Sequence, residues 1–128
     1  MTDPIIFISR NRVKEGMLGD FTKHYLESIP RTEADKLGTV VQLSYLDNNA
    51  TECVVIRVFP DAEAMDNQLG GADERSKTTY QFIEPTSVEI YGAPSDFTLE
   101  MLKKVAGSGI GVSIYPQFIG GFIRPKPG

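Results

Sequence analysis

Two residues in the N-terminal part of the chain, Asn11 and His24, have side chains of types that can take part in catalysis or ligand binding. His24 is the single histidine, and an imidazole can act as a general base or a ligand near neutral pH. It lies at the border of an apolar helical stripe, so the alternative is a half-exposed helix residue without a chemical role. A single histidine also argues against a metal site built from several histidines.

Asn11 ends a strand-like stretch, Pro4–Asn11, and shares one side of it with Phe7 and Ser9. An asparagine amide at this position could hold an oxyanion. The alternative is an asparagine that hydrogen-bonds nearby backbone. Both sides of the stretch turn polar here, which makes this end a place to look for a site. Cys53 lies within an apolar run, so we expect an unreactive thiol that packs in the core.

The stretch Thr51–Pro60 predicts the central strand around which these residues are arranged. Apolar residues occupy both alternating sides, which is typical of a strand covered on both faces. Pro60 cannot continue a hydrogen-bonded ladder, and Asp61 is a good N-cap for a following helix. A buried strand that leads into a helix is therefore expected.

The remaining periodicities predict further strands and helices. The strands are Pro4–Asn11, Thr39–Leu46, Thr51–Phe59 and Thr86–Tyr91, and the helices are one from Met17 with a kink or break at Pro30, a second piece Arg31–Leu37, Asp61–Leu69 and Ala72–Phe82. The order β-α-β-β-α-β predicts an α+β, ferredoxin-like fold in which the first and third strands are central.

Residues 1–92 form this predicted domain, and residues 93–128 form a C-terminal extension with a helix from Asp96 to Lys104 and a strand Val112–Ile119. The extension is expected to pack on its own sheet edge or on a partner subunit. Helices cover one sheet face, yet the other face is also apolar. A second copy of the sheet would cover it and give a homodimer with a barrel-like core.

Strand alternation places Arg10, Arg57 and Glu89 together on the face away from the helices. They could bind an anionic group there or form a charge network across the dimer interface.

Composition narrows the class of protein. The chain has 128 residues, a net charge of −4 and one cysteine. That length suits one domain, and the acidic balance argues against nucleic acid or an anionic membrane as a partner. We see no signal peptide or membrane-spanning run, and one cysteine fits a reducing compartment, so a cytoplasmic protein is expected.

Three stretches resemble the antibiotic biosynthesis monooxygenase family of dimeric α+β barrels: Arg12–Phe21, the junction Phe59–Met65, and Glu84–Gly92. The resemblance spans roughly residues 5–92. It implies a homodimer with a small cavity between helices and sheet, and either cofactor-independent oxygenation of phenols or quinols, or haem degradation. Haem degraders of the family need a tryptophan and a histidine ligand on or after the second helix. The chain has no tryptophan, and Met65–Phe82 has no histidine.

The resemblance therefore implies a cofactor-independent monooxygenase for a small phenolic or quinol-type aromatic molecule, with no metal or other cofactor. The expected catalytic residues are Asn11, Tyr80 and His24; Tyr80 follows the helix break where the cavity mouth should lie. The expected substrate contacts are Phe7, Ser9, Tyr25, Met65 and Asn67. The alternative is a non-catalytic ligand-binding or interaction module on the same scaffold, which the missing tryptophan favours.

Overall fold

A five-stranded mixed sheet carries the helices of this α+β protein. The computed structural model describes residues 3–106 and 109–124. The elements in this part of the chain are β1 (Ile5–Val13), α1 (Leu18–Asp35), β2 (Val41–Leu46), β3 (Glu52–Phe59), α2 (Ala62–Leu69), α3 (Ala72–Thr79), β4 (Ile83–Tyr91), α4 (Asp96–Ala106) and β5 (Gly111–Tyr115).

The strand order is β2-β3-β1-β4-β5. The first four strands pair antiparallel, and β5 adds parallel to β4. This arrangement confirms the ferredoxin-like prediction, with β1 and β3 as central strands. In the register of β1 and β3, Phe7 lies opposite Arg57 and Asn11 lies opposite Cys53.

The core lies between the helices and one face of the sheet. One cluster of buried side chains joins β1, β3 and β4 to α2, α3 and α4; it includes Phe7, Phe59, Met65, Ile90 and Leu102. A second cluster joins Phe21 of α1 to strand residues such as Cys53 and Val55. The sheet face that these residues share is therefore the covered face, called the inner face below.

Helix α1 continues through Pro30 as a single 18-residue helix, so the predicted break and the separate piece Arg31–Leu37 are wrong. A proline removes the hydrogen bond to the carbonyl four residues earlier, here that of Leu26. Both Leu26 and Pro30 are exposed, so water can satisfy the freed carbonyl. The helix continues because the lost bond is on its solvent side.

The C-terminal extension joins the same core. Met101 and Leu102 of α4 are buried with the main cluster, and β5 extends the sheet at the β4 edge. The carboxylate Oδ1 of Asp66 on α2 accepts hydrogen bonds from Ser95 Oγ at 2.5 Å and Thr98 Oγ1 at 2.7 Å. These bonds tie the start of α4 to α2. Residues 107–108 and 125–128 of the predicted extension lie outside the described residues.

The other face of the sheet, called the outer face, carries half-exposed aliphatic side chains of β1 and β3: Ile6, Ile8, Val54, Ile56 and Val58. Among the residues described, no helix is both long and apolar enough to cross a lipid bilayer.

Candidate functional site

A cavity of about 540 Å³ opens between α1, α3 and the inner face of the sheet. Its walls combine apolar side chains such as Phe7, Phe21 and Val88 with several polar groups. Pockets of this size and mixed lining are typical of small-molecule sites.

Six of the eight predicted site residues line this cavity: Phe7, Ser9, Asn11, His24, Tyr25 and Tyr80. Strand β1 supplies the first three from one side of its alternation. Helix α1 supplies His24 and Tyr25, and Tyr80 is the C-cap of α3. The fold thus brings together residues that are up to about 70 positions apart; their chemical roles stay predictions.

Met65 and Asn67 do not line the cavity, so the structure does not bring them together with the other predicted site residues. Met65 is fully buried in the main core cluster, one turn before Leu69, which does reach the cavity wall. Asn67 points to solvent, and its backbone carbonyl accepts a hydrogen bond from Lys36 Nζ at 2.8 Å. The inward stripe of α2 covers the core beneath the cavity rather than the cavity itself.

Asn11 is 2% exposed and already donates from its amide nitrogen. Nδ2 lies 3.1 Å from Ser9 Oγ and 3.4 Å from the Cys53 carbonyl. Because a carbonyl can only accept, the nitrogen must face Cys53. Asn11 Oδ1 makes no hydrogen bond within residues 3–106 and 109–124. The side chain therefore offers the cavity an acceptor, which suits a substrate hydroxyl better than an oxyanion.

A β-bulge lies beside Asn11. Arg10 pairs with Ser87 of β4, but Asn11 pairs with Pro85, so Thr86 is the extra residue. Pro85 has no N–H for the ladder, and prolines within sheets occur at such irregularities. Bulges re-aim side chains next to functional sites. Strand β4 continues on the N-terminal side of this bulge and begins at Ile83, three residues before the predicted start at Thr86.

His24 connects two walls of the cavity. Its Nε2 lies 2.9 Å from Thr79 Oγ1 of α3, and its ring centroid lies 5.5 Å from that of Phe82. This bond gives the imidazole a positioning role between α1 and α3. A direct part in chemistry would have to use its other ring nitrogen.

Two tyrosine hydroxyls reach the cavity, and they differ in their hydrogen-bond partners. Tyr25 OH accepts from Ser44 Oγ at 2.5 Å and from Gln42 Nε2 at 3.4 Å. Burial raises the pKa of the Tyr80 phenol, although a hydrogen bond with Ser76 works in the opposite direction. Tyr80 is therefore a neutral phenol at physiological pH and can donate a hydrogen bond.

Arg57 lines the same cavity, which corrects its predicted place on the outer face. It lies opposite Phe7, and its neighbours Val55 and Phe59 are buried on the inner face. Its Nε donates to Gln42 Oε1 at 2.9 Å. Burial lowers the pKa of the guanidinium, and the nearby Arg75 cation acts in the same direction, but an arginine stays charged.

Of the three residues predicted to share the outer face, Arg10 and Glu89 form an ion pair there. Arg10 Nε lies 2.8 Å from Glu89 Oε1, and Arg10 also approaches Glu52 at 4.0 Å. Hydrogen bonds from Tyr91 and from Arg10 lower the pKa of the Glu89 carboxyl. In the part of the chain that the structure describes, no group of three His, Cys, Asp or Glu residues gathers as a metal site.

Comparison with known proteins finds likeness in structure alone. No protein-family model and no curated protein matches the sequence. MupZ from Pseudomonas fluorescens superposes with a TM-score of 0.73 over 97% of both chains at 16% identity. SnoaB from Streptomyces nogalater, a cofactor-independent oxygenase, matches with a TM-score of 0.60 at 18% identity, covering 73% of this chain and 96% of its own.

A Bacteroides thetaiotaomicron protein provisionally named an antibiotic biosynthesis monooxygenase matches with a TM-score of 0.58 at 12% identity, over 69% of this chain and 85% of that one. The chain has the antibiotic biosynthesis monooxygenase fold. The ferredoxin-like α+β fold that the resemblance implied for the single chain is thereby confirmed. MupZ also matches over the length of the α4–β5 extension, whereas the other two cover a shorter part of this chain.

Proposed function

We propose that this protein is a cofactor-independent monooxygenase that acts on a small phenolic or quinol-type aromatic molecule. The observation that carries the proposal is the cavity, in which the free acceptor of Asn11 lies among aromatic walls formed by Phe7 and Phe21. The fold shared with SnoaB, a cofactor-independent oxygenase, supports the same class of reaction.

In the proposed reaction, a ring C–H carbon of the phenol or quinol, which is a CH₂ group in the keto tautomer, becomes a carbonyl. One atom of O₂ enters the product, the other leaves as water, and the substrate supplies all the electrons. Loss of a proton to solvent gives a resonance-stabilised anion, which passes an electron to O₂. The substrate radical and superoxide combine to a peroxide anion, a proton returns to give the hydroperoxide, and loss of water yields the carbonyl.

The protein's part is binding, orientation and exclusion of water. Asn11 Oδ1 accepts a hydrogen bond from the substrate hydroxyl and fixes its position. The neutral phenol of Tyr80 donates to the oxygen that gains negative charge in the anion. His24 holds α1 against α3 and thereby keeps the cavity walls in place.

Oxygen uptake by the purified protein tests this proposal, with a panel of quinols, anthrones and naphthols and no added cofactor. We expect uptake above the buffer rate, and a fall of roughly tenfold or more in Asn11→Ala and in Tyr80→Phe. Asn67→Ala, on the exposed side of α2, is the matched control and should retain full uptake. Absence of uptake across the panel, or equal uptake in all three variants, contradicts the proposal.

A non-catalytic binding module is the second candidate. The amide nitrogen of Asn11, the ring of His24 and the hydroxyl of Tyr25 are each engaged within the protein, which leaves few groups for proton transfer. This candidate predicts that an aromatic ligand binds and is recovered unchanged under air. Chromatography of the ligand after prolonged incubation separates the two candidates.

We also propose that the protein forms a homodimer through the outer face of the sheet. Half-exposed aliphatic side chains of β1 and β3 support this, and so do the exposed apolar residues after β5, Phe118, Ile119 and Phe122. Sedimentation equilibrium should give twice the chain mass for the native protein and the chain mass for Ile8→Glu. A native monomer would contradict the proposal.

A further inference from the structure

The guanidinium of Arg57 has terminal nitrogens with no hydrogen-bonding partner in the described chain. Only its Nε is used, by Gln42. None of the ion pairs among the described residues includes Arg57. Arg57 is half-buried, and its unpartnered terminal nitrogens are accessible from the cavity. A cation that is partly removed from water is stabilised by a nearby anion, and no side chain of the described residues supplies one to Arg57. The cavity position of Arg57 therefore calls for an anion from outside the protein.

The charges around Arg57 favour the same conclusion. Four cationic side chains and one acidic side chain line the cavity: Arg31, Lys36, Arg57, Arg75 and Asp35. The whole chain has the opposite sign, with a net charge of −4. A locally positive cavity in an acidic protein attracts anionic ligands.

Arg57 is the half-buried member of this group that is available to a ligand, since Arg31 is exposed to solvent. Arg75 already donates to the Gly70 carbonyl at 2.7 Å, and Lys36 donates to the Asn67 carbonyl at 2.8 Å. Arg57 is held by its Nε, which leaves the two terminal nitrogens of the guanidinium facing the cavity. Two parallel N–H groups in that geometry match the two oxygens of a carboxylate.

Arg57 and Asn11 lie at different places along the cavity, so the group that Arg57 binds differs from the hydroxyl that Asn11 binds. Asn11 pairs with Cys53, and Arg57 lies four residues further along the same strand. At ~3.3 Å per residue the backbone positions of the two residues are about 13 Å apart along β3. A hydroxyl held by Asn11 therefore lies at one end of the cavity, and the group held by Arg57 lies at the other.

We propose that the substrate is an aromatic carboxylate, bound at its acid end by Arg57 and at its hydroxyl end by Asn11. This proposal names the substrate class of the monooxygenase proposed above. It rests on that proposed function for the oxygenation of the ring. Gln42 is a positioning residue, because it holds the guanidinium through Nε and is itself linked to Tyr25.

Calorimetric titration under nitrogen tests the proposal, since binding is then measured without oxidation. The probes are 6-hydroxy-2-naphthoate and its neutral analogue 6-hydroxy-2-naphthamide. Native protein should bind the carboxylate roughly 10- to 100-fold more tightly than the amide. Arg57→Gln should abolish that preference, and Arg57→Lys, which keeps the charge but loses the fork, should retain part of it.

Arg10→Gln is the matched control, because it makes the same change on the outer face and should keep the native preference. The proposal is overturned if native protein binds both probes equally, if it binds neither, or if Arg57→Gln keeps the preference. It is also overturned if Arg57→Gln weakens both probes by the same factor, since Arg57 would then contact the hydroxyl. A native carboxylate preference without oxygen uptake would instead reject the oxygenase and leave this binding site standing.

Discussion

Replacement of Asp66 by alanine tests how the C-terminal extension is held to the rest of the fold. Asp66 Oδ1 accepts hydrogen bonds from Ser95 Oγ and Thr98 Oγ1, and Thr98 is fully buried. In Asp66→Ala both hydroxyls lose this acceptor. Ser95 is half-buried and can turn to water, whereas Thr98 is left unpaired inside the protein.

The magnitude follows from those two bonds. An unpaired buried hydroxyl costs about 1–3 kcal/mol, and loss of the more accessible bond costs about 1 kcal/mol. The expected loss in the free energy of unfolding is therefore about 3 kcal/mol, a large part of the ~5–15 kcal/mol typical of a domain. In a chain of this length it corresponds to a fall in Tm of roughly 10–15 °C.

Urea denaturation followed by circular dichroism measures the loss. Asn67→Ala, the next residue on α2 but exposed, is the control and should stay within about 0.5 kcal/mol of the native protein. Asp66→Asn keeps one acceptor oxygen and should lose about half as much as Asp66→Ala. Because Leu102 of α4 also lines the cavity, ligand binding should weaken in Asp66→Ala as well.

A double-mutant cycle with Thr98→Val separates the hydrogen bond from other effects of the substitution. The two single changes should cost more in sum than the double variant, with a coupling of about 1 kcal/mol or more. A coupling near zero, or a stability of Asp66→Ala equal to that of the native protein, would refute the reasoning. The extension would then be held by the apolar contacts of α4 alone.

Three further predictions concern the sheet and its connections. Burial raises the pKa of the Cys53 thiol, so Ellman's reagent should react slowly with native protein and rapidly in denaturant; equal rates would contradict the burial. Backbone N–H groups, that of Glu52 first, hold the pKa of the Asp47 carboxyl below its ordinary value of 3.8. Stability from this turn is present above that value and is lost as pH falls through the lower, folded pKa. Asp47→Asn should therefore flatten the acid side of the stability profile, and an unchanged profile would contradict this. Gly38→Ala would place a Cβ 2.8 Å from that of Ala64, so a loss of about 1–3 kcal/mol in urea denaturation is expected, and native stability would show that the connection moves freely.

The order of the elements and the central strands followed from local patterns. Apolar residues on both sides of β3 predicted a central strand, and the structure places this strand between β1 and β2. The helix after Pro60 also followed, since Asp61 accepts the Ala64 N–H at 2.8 Å as an N-cap. These features depend on residues close together in sequence, so the sequence determines them directly.

The periodicity of apolar residues was a poorer guide to features that depend on how exposed a residue is in the folded protein. The alternative that Pro30 breaks α1 was wrong, because the proline lies on the solvent side and the helix continues. Met65 was correctly placed on the inward stripe of its helix. A helical period shows which residues face inward, but it does not show whether the space beneath them is core or cavity.

The tertiary structure alone decided the chemistry that the cavity offers. Alternation along β3 groups Arg57 with Val55 and Phe59, but both sides of that strand are apolar, so the sequence does not tell which side the helices cover. The register that sets Arg57 opposite Phe7 decides it. The same register sets the Cys53 carbonyl beside Asn11, which turns the amide oxygen toward the cavity. Pairing between distant strands fixes both groups, and no local pattern records that pairing.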